Sequence, residues 1–162
     1  MKFLKIRDVK SPERGTEKSA GIDFFVPNDF SEMVLMPKHD VLIPSGIKVG
    51  LPENTMLMAA DKSGLASSAT SKVFAGMKVK PDAHDSSLIV GAKIVDEDYP
   101  GEVHLHIINV GKCPVNIKPG MKIVQFIVVP VIYTEPSEVT SEEELGYAKT
   151  SRSGGFSSTG LK

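Results

Sequence analysis

Cysteine, tryptophan and long hydrophobic runs are scarce in this sequence. The single cysteine, Cys113, excludes an internal disulfide and is compatible with a reducing compartment. We expect it to be a small hydrophobic residue beside Pro114. The longest apolar run, 123–132, is interrupted by Gln125 and Pro130 and is too short to cross a bilayer. These scarcities exclude a disulfide scaffold and a membrane-spanning helix.

The sequence also has no marked excess of positive or negative charge. Nineteen Lys and Arg residues face twenty Asp and Glu residues, the net charge is −1, and the charges are spread along the chain. Nothing therefore favours a direct nucleic-acid or membrane partner. Residues 1–20 contain no apolar segment of the kind that a signal peptide requires. With 162 residues, the chain suits one domain, and we expect a soluble, cytoplasmic protein.

Helical periodicity is almost absent, and the spacing of apolar stretches and turn residues favours an all-β fold. Short apolar stretches alternate with Pro, Gly, Asn and Asp at intervals of about ten residues, as in sandwiches and barrels. Ser141 and Glu144 have the spacing of a capping box, so one helix is predicted to start at Thr140 or Ser141. Residues 67–87 have no period and are predicted to form a long loop, or a short helix and a loop. The predicted strands are 2–7, 22–26, 33–36, 40–43, 47–50, 56–60, 88–95, 102–110, 114–117 and 122–132.

The segment 94–103, IVDEDYPGEV, runs from apolar residues into three acids and then a Tyr-Pro-Gly turn. A carboxylate at the end of an apolar strand, such as Asp96, can orient a water molecule. An aromatic at the following turn, Tyr99, can enclose a small ligand. The alternative is that these acids simply occupy a solvated hairpin tip.

The segment 61–68, DKSGLASS, follows an apolar strand. Lys62, the Ser63 hydroxyl and the N–H groups of Gly64 and Leu65 would form a compact anion site. It is not a Walker A loop, because GxxxxGK[ST] is absent from the sequence. The alternative is an ordinary turn into a short helix.

Four further polar residues lie within apolar strand segments. Asp23 within GIDFF either binds the water shell of a metal ion or caps a turn. Gln125 within KIVQF is either a hydrogen-bonded core amide or a ligand contact. His104 and His106 share one strand face, but no histidine follows them, so two surface residues are favoured over a metal pair.

The segment 151–160, SRSGGFSSTG, is rich in glycine and serine, which makes it costly to order. A large aromatic, Phe156, in such a segment suggests that the segment folds onto something flat. A nucleotide with its phosphates is the ligand we expect to order this segment.

Five segments, taken in order, resemble the five motifs of the trimeric dUTPase family. The match extends over nearly the whole chain apart from 67–87, which is longer here than is usual in the family. The resemblance implies a jelly-roll-like, distorted β-barrel subunit of a homotrimer, with a core of about 1–135 and a flexible C-terminal arm of about 136–162. The five segments are AGIDFF, DKSGLAS, GAKIVDEDYPGEV, GMKIVQF and SRSGGFSSTG.

The resemblance also implies Mg²⁺-dependent hydrolysis of dUTP to dUMP and pyrophosphate, which keeps uracil out of DNA and supplies dUMP. Asp96 matches the acid that orients the attacking water, Tyr99 the aromatic beneath the deoxyribose, and Asp23 the acid that holds metal-bound water. The hairpin with Val90, Ile94 and Val95, together with the returning strand at His104, is implied to contact uracil mainly through its backbone. The implied triphosphate contacts are Lys62, Ser63, Gly64 and Gln125. In the ordered tail, the resemblance implies that Phe156 stacks on the base and that Arg152, Ser158 and Thr159 approach the γ-phosphate.

Several positions depart from the family pattern. Lys62 replaces an arginine, Lys93 a glycine and Met121 an acid, and Arg152 is displaced by one residue. These departures keep open an alternative, a nucleotide-binding regulatory protein with weak or no turnover. A dCTP deaminase is disfavoured, because that family places a glutamate where this chain has His106.

Overall fold

The computed structural model describes residues 1–67, 72, 75–78 and 87–146, and strands dominate its regular structure. The apolar stretches form strands close to the predicted bounds, and the intervening turn residues separate them. The strands are β1 (Lys2–Lys5), β2 (Glu13–Arg14), β3 (Ile22–Phe25), β4 (Met33–Leu35), β5 (Asp40–Pro44), β6 (Ile47–Gly50), β7 (Thr55–Ala60), β8 (Leu88–Val90), β9 (Ile94–Val95), β10 (His104–Asn109), β11 (Val115–Ile117) and β12 (Lys122–Pro130); the short helix α1 spans Ser63–Ala66.

The strands pair antiparallel in four sheets. The largest sheet has the order β2-β3-β12-β7-β9, and a three-stranded sheet has the order β5-β10-β8. The two remaining sheets are the pairs β1-β6 and β11-β4. Sequence-distant strands are therefore neighbours, as in Greek-key and jelly-roll folds.

The core lies where inward-facing residues of these strands meet. Along β10, buried Leu105, Ile107 and Asn109 alternate with more exposed positions, which is the period of a half-buried strand. Phe24 of β3 and Phe126 of β12 are almost fully buried, with ring centroids 4.6 Å apart. Such an aromatic pair ties neighbouring strands together beyond their hydrogen bonds.

Two strands differ from the prediction. Residues 88–95 are not one strand but two, because the chain turns at Gly91 between β8 and β9. The short strand β2, which pairs with β3, was not predicted. Its sequence, Glu-Arg, is charged and exposed, so hydrophobic patterning gives no signal for it.

The chain divides into two compact units, Met1–Ile132 and Tyr133–Lys162. In the second unit, the predicted helix start is a single 3-10 turn, Glu143–Leu145, and its N-cap residue makes no side-chain cap hydrogen bond. The hydroxyls of Thr140 and Ser141 instead contact the carboxylate of Glu144. Among the described residues, no helix has the length and hydrophobicity of a membrane span.

Candidate active site

A pocket of about 330 Å³ opens beside the segment 92–104. It includes five of the residues implicated by sequence, Ile94, Val95, Asp96, Tyr99 and His104. Its floor includes the buried ring of Phe126. The remaining lining residues are Leu42, Ala92, Lys93, Glu102 and Val103.

Hydrogen bonds to one carbonyl fix the aromatic wall of this pocket. The Tyr99 hydroxyl donates to the Glu102 carbonyl at 3.3 Å, and His104 Nδ1 donates to the same oxygen at 2.9 Å. The Tyr99 ring lies over Gly101, where a Cβ atom would come within 2.3 Å of the tyrosine hydroxyl. Glycine at 101 therefore allows the ring to fold back against its own turn.

Glu102 supports the pocket in a way that sequence reasoning missed. Its carboxylate accepts the Gly46 N–H at 2.6 Å and pairs with Arg7 Nε at 3.4 Å. Gly46 has a φ of 75°, a conformation that favours glycine. The only sequence signal was an acid inside a strand-forming segment, and its partners lie far away along the chain.

The acidic segment after β9 is pinned by backbone contacts. The Tyr99 N–H donates to the Asp96 carbonyl at 3.2 Å, and the Asn54 N–H donates to Glu97 Oε2 at 2.9 Å. Asp96 is exposed and lines the pocket. The segment is therefore more than a solvated hairpin tip, because it places one carboxylate at the edge of a cavity.

A second group of charged residues consists of Asp23 on β3, Lys122 on β12 and Lys62, which precedes α1. Asp23 is 5 % exposed, and its carboxylate accepts a hydrogen bond from Lys62 Nζ and pairs with Lys122 Nζ at 3.3 Å. Burial raises the pKa of this carboxyl, but hydrogen bonds and charges from the two lysines outweigh burial and hold the pKa below 3.8. We call Asp23, Lys62 and Lys122 the lysine–aspartate cluster.

Gln125 connects this cluster to the start of the α1 segment. Its Nε2 donates to the Asp61 carbonyl at 2.7 Å, and the Asp61 carboxylate accepts the Val90 N–H at 2.6 Å. The Gln125 side chain lies against Gly21, where a Cβ atom would meet its Oε1 at 2.0 Å. Gln125 is half-buried, so it is not an enclosed core amide.

The compact anion site predicted within the segment 61–68 is present in part. Ser63 and Gly64 are exposed at the start of α1, beside Lys62. The Leu65 N–H, which the sequence suggested as an anion donor, instead donates to the Lys62 carbonyl at 2.8 Å. Helix formation uses this donor, so the expectation for Leu65 was wrong.

The pocket and the lysine–aspartate cluster lie on opposite faces of the five-stranded sheet. Phe126 faces the pocket, and its neighbour on β12, Gln125, therefore faces the other side. Gln125 is the register partner of Asp23, so both side chains share that second face. Val90, predicted to contact uracil mainly through its backbone, has its side chain in the core and does not line the pocket, and its N–H donates to Asp61.

The two strand histidines differ from each other. His104 is exposed on the strand as predicted and contributes to the pocket. His106 is less exposed than His104: its side chain is 25 % exposed and contacts Ala92 and Asp40. Among the described residues, no group of three or more His, Cys, Asp or Glu side chains is arranged to hold a metal ion.

Four implicated residues, Arg152, Phe156, Ser158 and Thr159, lie outside the described residues.

Comparison with known proteins identifies the family. A family model named dUTPase matches residues 81–160. The deoxyuridine 5'-triphosphate nucleotidohydrolase of Gloeothece citriformis is 34 % identical over 153 residues, which cover 94 % of this chain and 86 % of that protein. The chain belongs to the dUTPase family. The resemblance noted in the sequence is thereby confirmed, as is the prediction of a dUTP-hydrolysing enzyme.

Solved dUTPase structures share the fold. A mutant dUTPase of Staphylococcus bacteriophage 80alpha with dUpNHpp matches 99 % of this chain and 98 % of its own, with a TM-score of 0.76 and 19 % identity. A mutant dUTPase from phage phi11 of S. aureus, described with a structural Mg(II) ion, matches 88 % of this chain and 97 % of its own, with a TM-score of 0.68 and 19 % identity. These matches confirm the predicted all-β, jelly-roll-like class.

Proposed function

We propose that this chain hydrolyses dUTP to dUMP and pyrophosphate, with Asp96 activating the water and Mg²⁺ as cofactor. The observation that carries this proposal is the pocket, which includes five residues whose roles the family resemblance had implied. Uracil and deoxyribose would occupy the pocket, between Ile94, Val95, His104 and Tyr99. Tyr99 would lie beneath the deoxyribose and leave no room for a 2′-hydroxyl.

The chemical step is an in-line displacement at the α-phosphorus. The Asp96 carboxylate accepts a hydrogen bond from a water molecule and takes its proton as the water oxygen attacks. The bond from the α-phosphorus to the oxygen that bridges to the β-phosphate breaks, and pyrophosphate leaves. General-base catalysis of this kind contributes about 10²- to 10⁴-fold to the rate, and positioning and charge stabilisation contribute further.

The triphosphate needs positive charge and hydrogen-bond donors. Those that line the pocket include Lys93, but Asp96 and Glu102 oppose it in the same lining. Lys62, Ser63, Gly64 and Gln125 would serve the phosphates, yet Gln125 and the lysine–aspartate cluster are associated with the other sheet face. A second copy of the chain that places its own lysine–aspartate cluster against the pocket would supply the positive charge and the hydrogen-bond donors. This supports a homotrimer with shared sites.

Magnesium fits these residues as an ion that arrives with the substrate. Mg²⁺ keeps several waters and uses one or two carboxylates together with substrate phosphates. Asp23 is ionised and buried, and its carboxylate has lone pairs beyond those that Lys62 and Lys122 use, so it can hold metal-bound water. When bound, the ion would neutralise charge that develops on the phosphate oxygens.

The C-terminal arm, about 136–162, would close the site over the core of about 1–135. Phe156 would stack on the base, and Arg152, Ser158 and Thr159 would approach the γ-phosphate. A glycine-rich arm pays its ordering entropy when the nucleotide binds and releases product by opening again. The longer segment 67–87 would be a surface insertion outside this mechanism.

The experiment that tests the proposal measures pyrophosphate release from dUTP, dCTP, dTTP and UTP with Mg²⁺, for the wild type and Asp96→Asn. Turnover of dUTP alone, lost in the variant, supports the proposal. Tight dUTP binding without turnover by the wild type would contradict it and favour the regulatory alternative.

A further inference from the structure

We propose that His106 is a positioning residue that holds one wall of the nucleotide pocket in its binding conformation. That wall is the turn Gly91-Ala92-Lys93 between β8 and β9, which we call the pocket turn; Ala92 and Lys93 line the pocket. This inference rests on the proposed function, since it assumes that the pocket takes the base of dUTP. It concerns a side chain that the family pattern assigned no role.

Both ring nitrogens of His106 are engaged, and their partners define the tautomer. The Ala92 N–H donates to His106 Nδ1 at 2.8 Å, so Nδ1 carries no proton. The remaining proton of the neutral ring is therefore on Nε2, which donates to Asp40 Oδ2 at 3.0 Å. Asp40 on β5 thus fixes the tautomer that presents an acceptor to the pocket turn.

Shape supports the same role. The imidazole lies directly on Gly91, where a Cβ atom would come within 2.4 Å of two ring atoms. Only glycine at 91 allows the ring to reach the Ala92 N–H. The side chain of His106 is 25 % exposed, so most of its surface packs against protein.

The pocket turn has three anchors, and His106 provides two of them. The Gly91 N–H donates to the His106 carbonyl at 3.0 Å, and the Ala92 N–H binds the ring. On the other side, the Ala59 N–H of β7 donates to the Lys93 carbonyl at 2.6 Å. Ala92 and Lys93 are themselves exposed, so without the ring this glycine-containing turn would have to be ordered by the ligand.

The test uses two amide substitutions that differ in where they place an acceptor. In His106→Asn the side-chain oxygen can occupy the position of Nδ1, whereas in His106→Gln it lies near the position of Nε2. We expect His106→Gln to raise the KM for dUTP about five- to tenfold with kcat within about twofold, and His106→Asn to keep both within about twofold of the wild type. His39→Asn is the matched control, because His39 is exposed and its ring contacts the carbonyl of Pro37.

A second measurement does not depend on turnover. The ¹⁵N chemical shifts of His106 should report an unprotonated Nδ1 and a protonated Nε2 at neutral pH; a proton on Nδ1 would overturn the proposal. Equal KM values for His106→Asn and His106→Gln in folded protein would also overturn it. Absence of dUTP turnover in the wild type would instead refute the proposed function and leave the shift measurement to decide the role of His106.

Thermal melts show whether His106→Gln is folded. If His106→Gln is not folded, Asp40→Ala tests the role of His106 instead. The Asp40 side chain is 64 % exposed, so its loss leaves the core intact. Without Asp40, no acceptor holds the proton on Nε2, so His106 can also adopt the tautomer with its proton on Nδ1. The KM for dUTP should then rise about threefold. An unchanged KM in Asp40→Ala would then overturn the proposal.

Discussion

The pocket and the lysine–aspartate cluster are built in different ways. The pocket is held mainly by backbone groups: the carbonyl of Glu102 fixes Tyr99 and His104, and the N–H of Ala92 is bound by His106. The cluster is held by side-chain charges on a buried carboxylate. A wall of backbone contacts is rigid and suits a base of fixed shape. Ammonium groups suit phosphates, since an ammonium group that pairs with a carboxylate can also pair with a phosphate oxygen.

This difference predicts different consequences of substitution. Changes in the pocket should act through geometry, and changes in the cluster should act through charge.

Asp96→Asn should reduce kcat for dUTP about 10²- to 10⁴-fold, because an amide cannot take the proton of the attacking water. Binding of dUTP should change little. Pyrophosphate release and calorimetric binding of dUTP measure the two quantities. Asp98→Asn is the control, since Asp98 is exposed and does not line the pocket; a similar loss in that variant would contradict a specific role for Asp96.

Lys62→Met should raise the KM for dUTP about ten- to a hundredfold, the cost of losing a charge-assisted hydrogen bond to phosphate. Lys62→Arg should lower the KM about two- to fivefold, because guanidinium binds phosphate in bidentate fashion. Steady-state kinetics at constant ionic strength checks both values. Equal KM values for methionine and arginine at 62 would show that charge at this position does not serve the phosphates.

Gly101→Ala should raise the KM for dUTP about five- to tenfold, since the new Cβ atom displaces Tyr99 from its contact with the Glu102 carbonyl. Gly50→Ala is the matched change, because a Cβ atom there meets its nearest neighbour at an ordinary 3.9 Å. Kinetics and thermal melts of the two variants form the measurement. A KM for Gly101→Ala as low as that for Gly50→Ala would refute the positioning of Tyr99.

Asp23 should make the free energy of unfolding depend on pH under acidic conditions. Its pKa in the folded state lies below the ordinary 3.8, so its stabilisation is complete above that value and is lost as the pH falls through the folded-state pKa. In metal-free buffer, the free energy of unfolding should therefore fall less steeply from about pH 5 to about pH 2 in Asp23→Asn than in the wild type. Chemical denaturation at several pH values measures the two slopes, and identical slopes would contradict the ionised cluster.

Much of the fold follows from local sequence. Strands such as β7 and β12 are apolar runs bounded by turn residues, so their positions were predictable. The break at Gly91 was not, because the groups that contact the chain there, the ring and carbonyl of His106, belong to another strand. The strand β2 was missed because its two residues carry no hydrophobic signal.

The site was predictable to a similar degree. Asp96 and Tyr99 stand in one short segment, and that segment forms the pocket edge. The ion pairs of Asp23 with Lys62 and Lys122, and the contact of Glu102 with Gly46, join residues that are distant in sequence. Strand pairing and the loops between the strands bring them together, and periodicity alone determines neither.

A shared site is tested most directly by complementation between Asp96→Asn and the double variant Lys62→Met/Gln125→Leu, assayed at dUTP concentrations below the wild-type KM, where each variant alone has little activity. If each site combines the pocket of one copy with the cluster of another, unfolding and refolding an equal mixture should restore about a quarter of wild-type activity, since that fraction of sites receives both intact halves. Each variant refolded alone should keep its low activity. Activity of the mixture no higher than that of the separate variants would contradict a shared site.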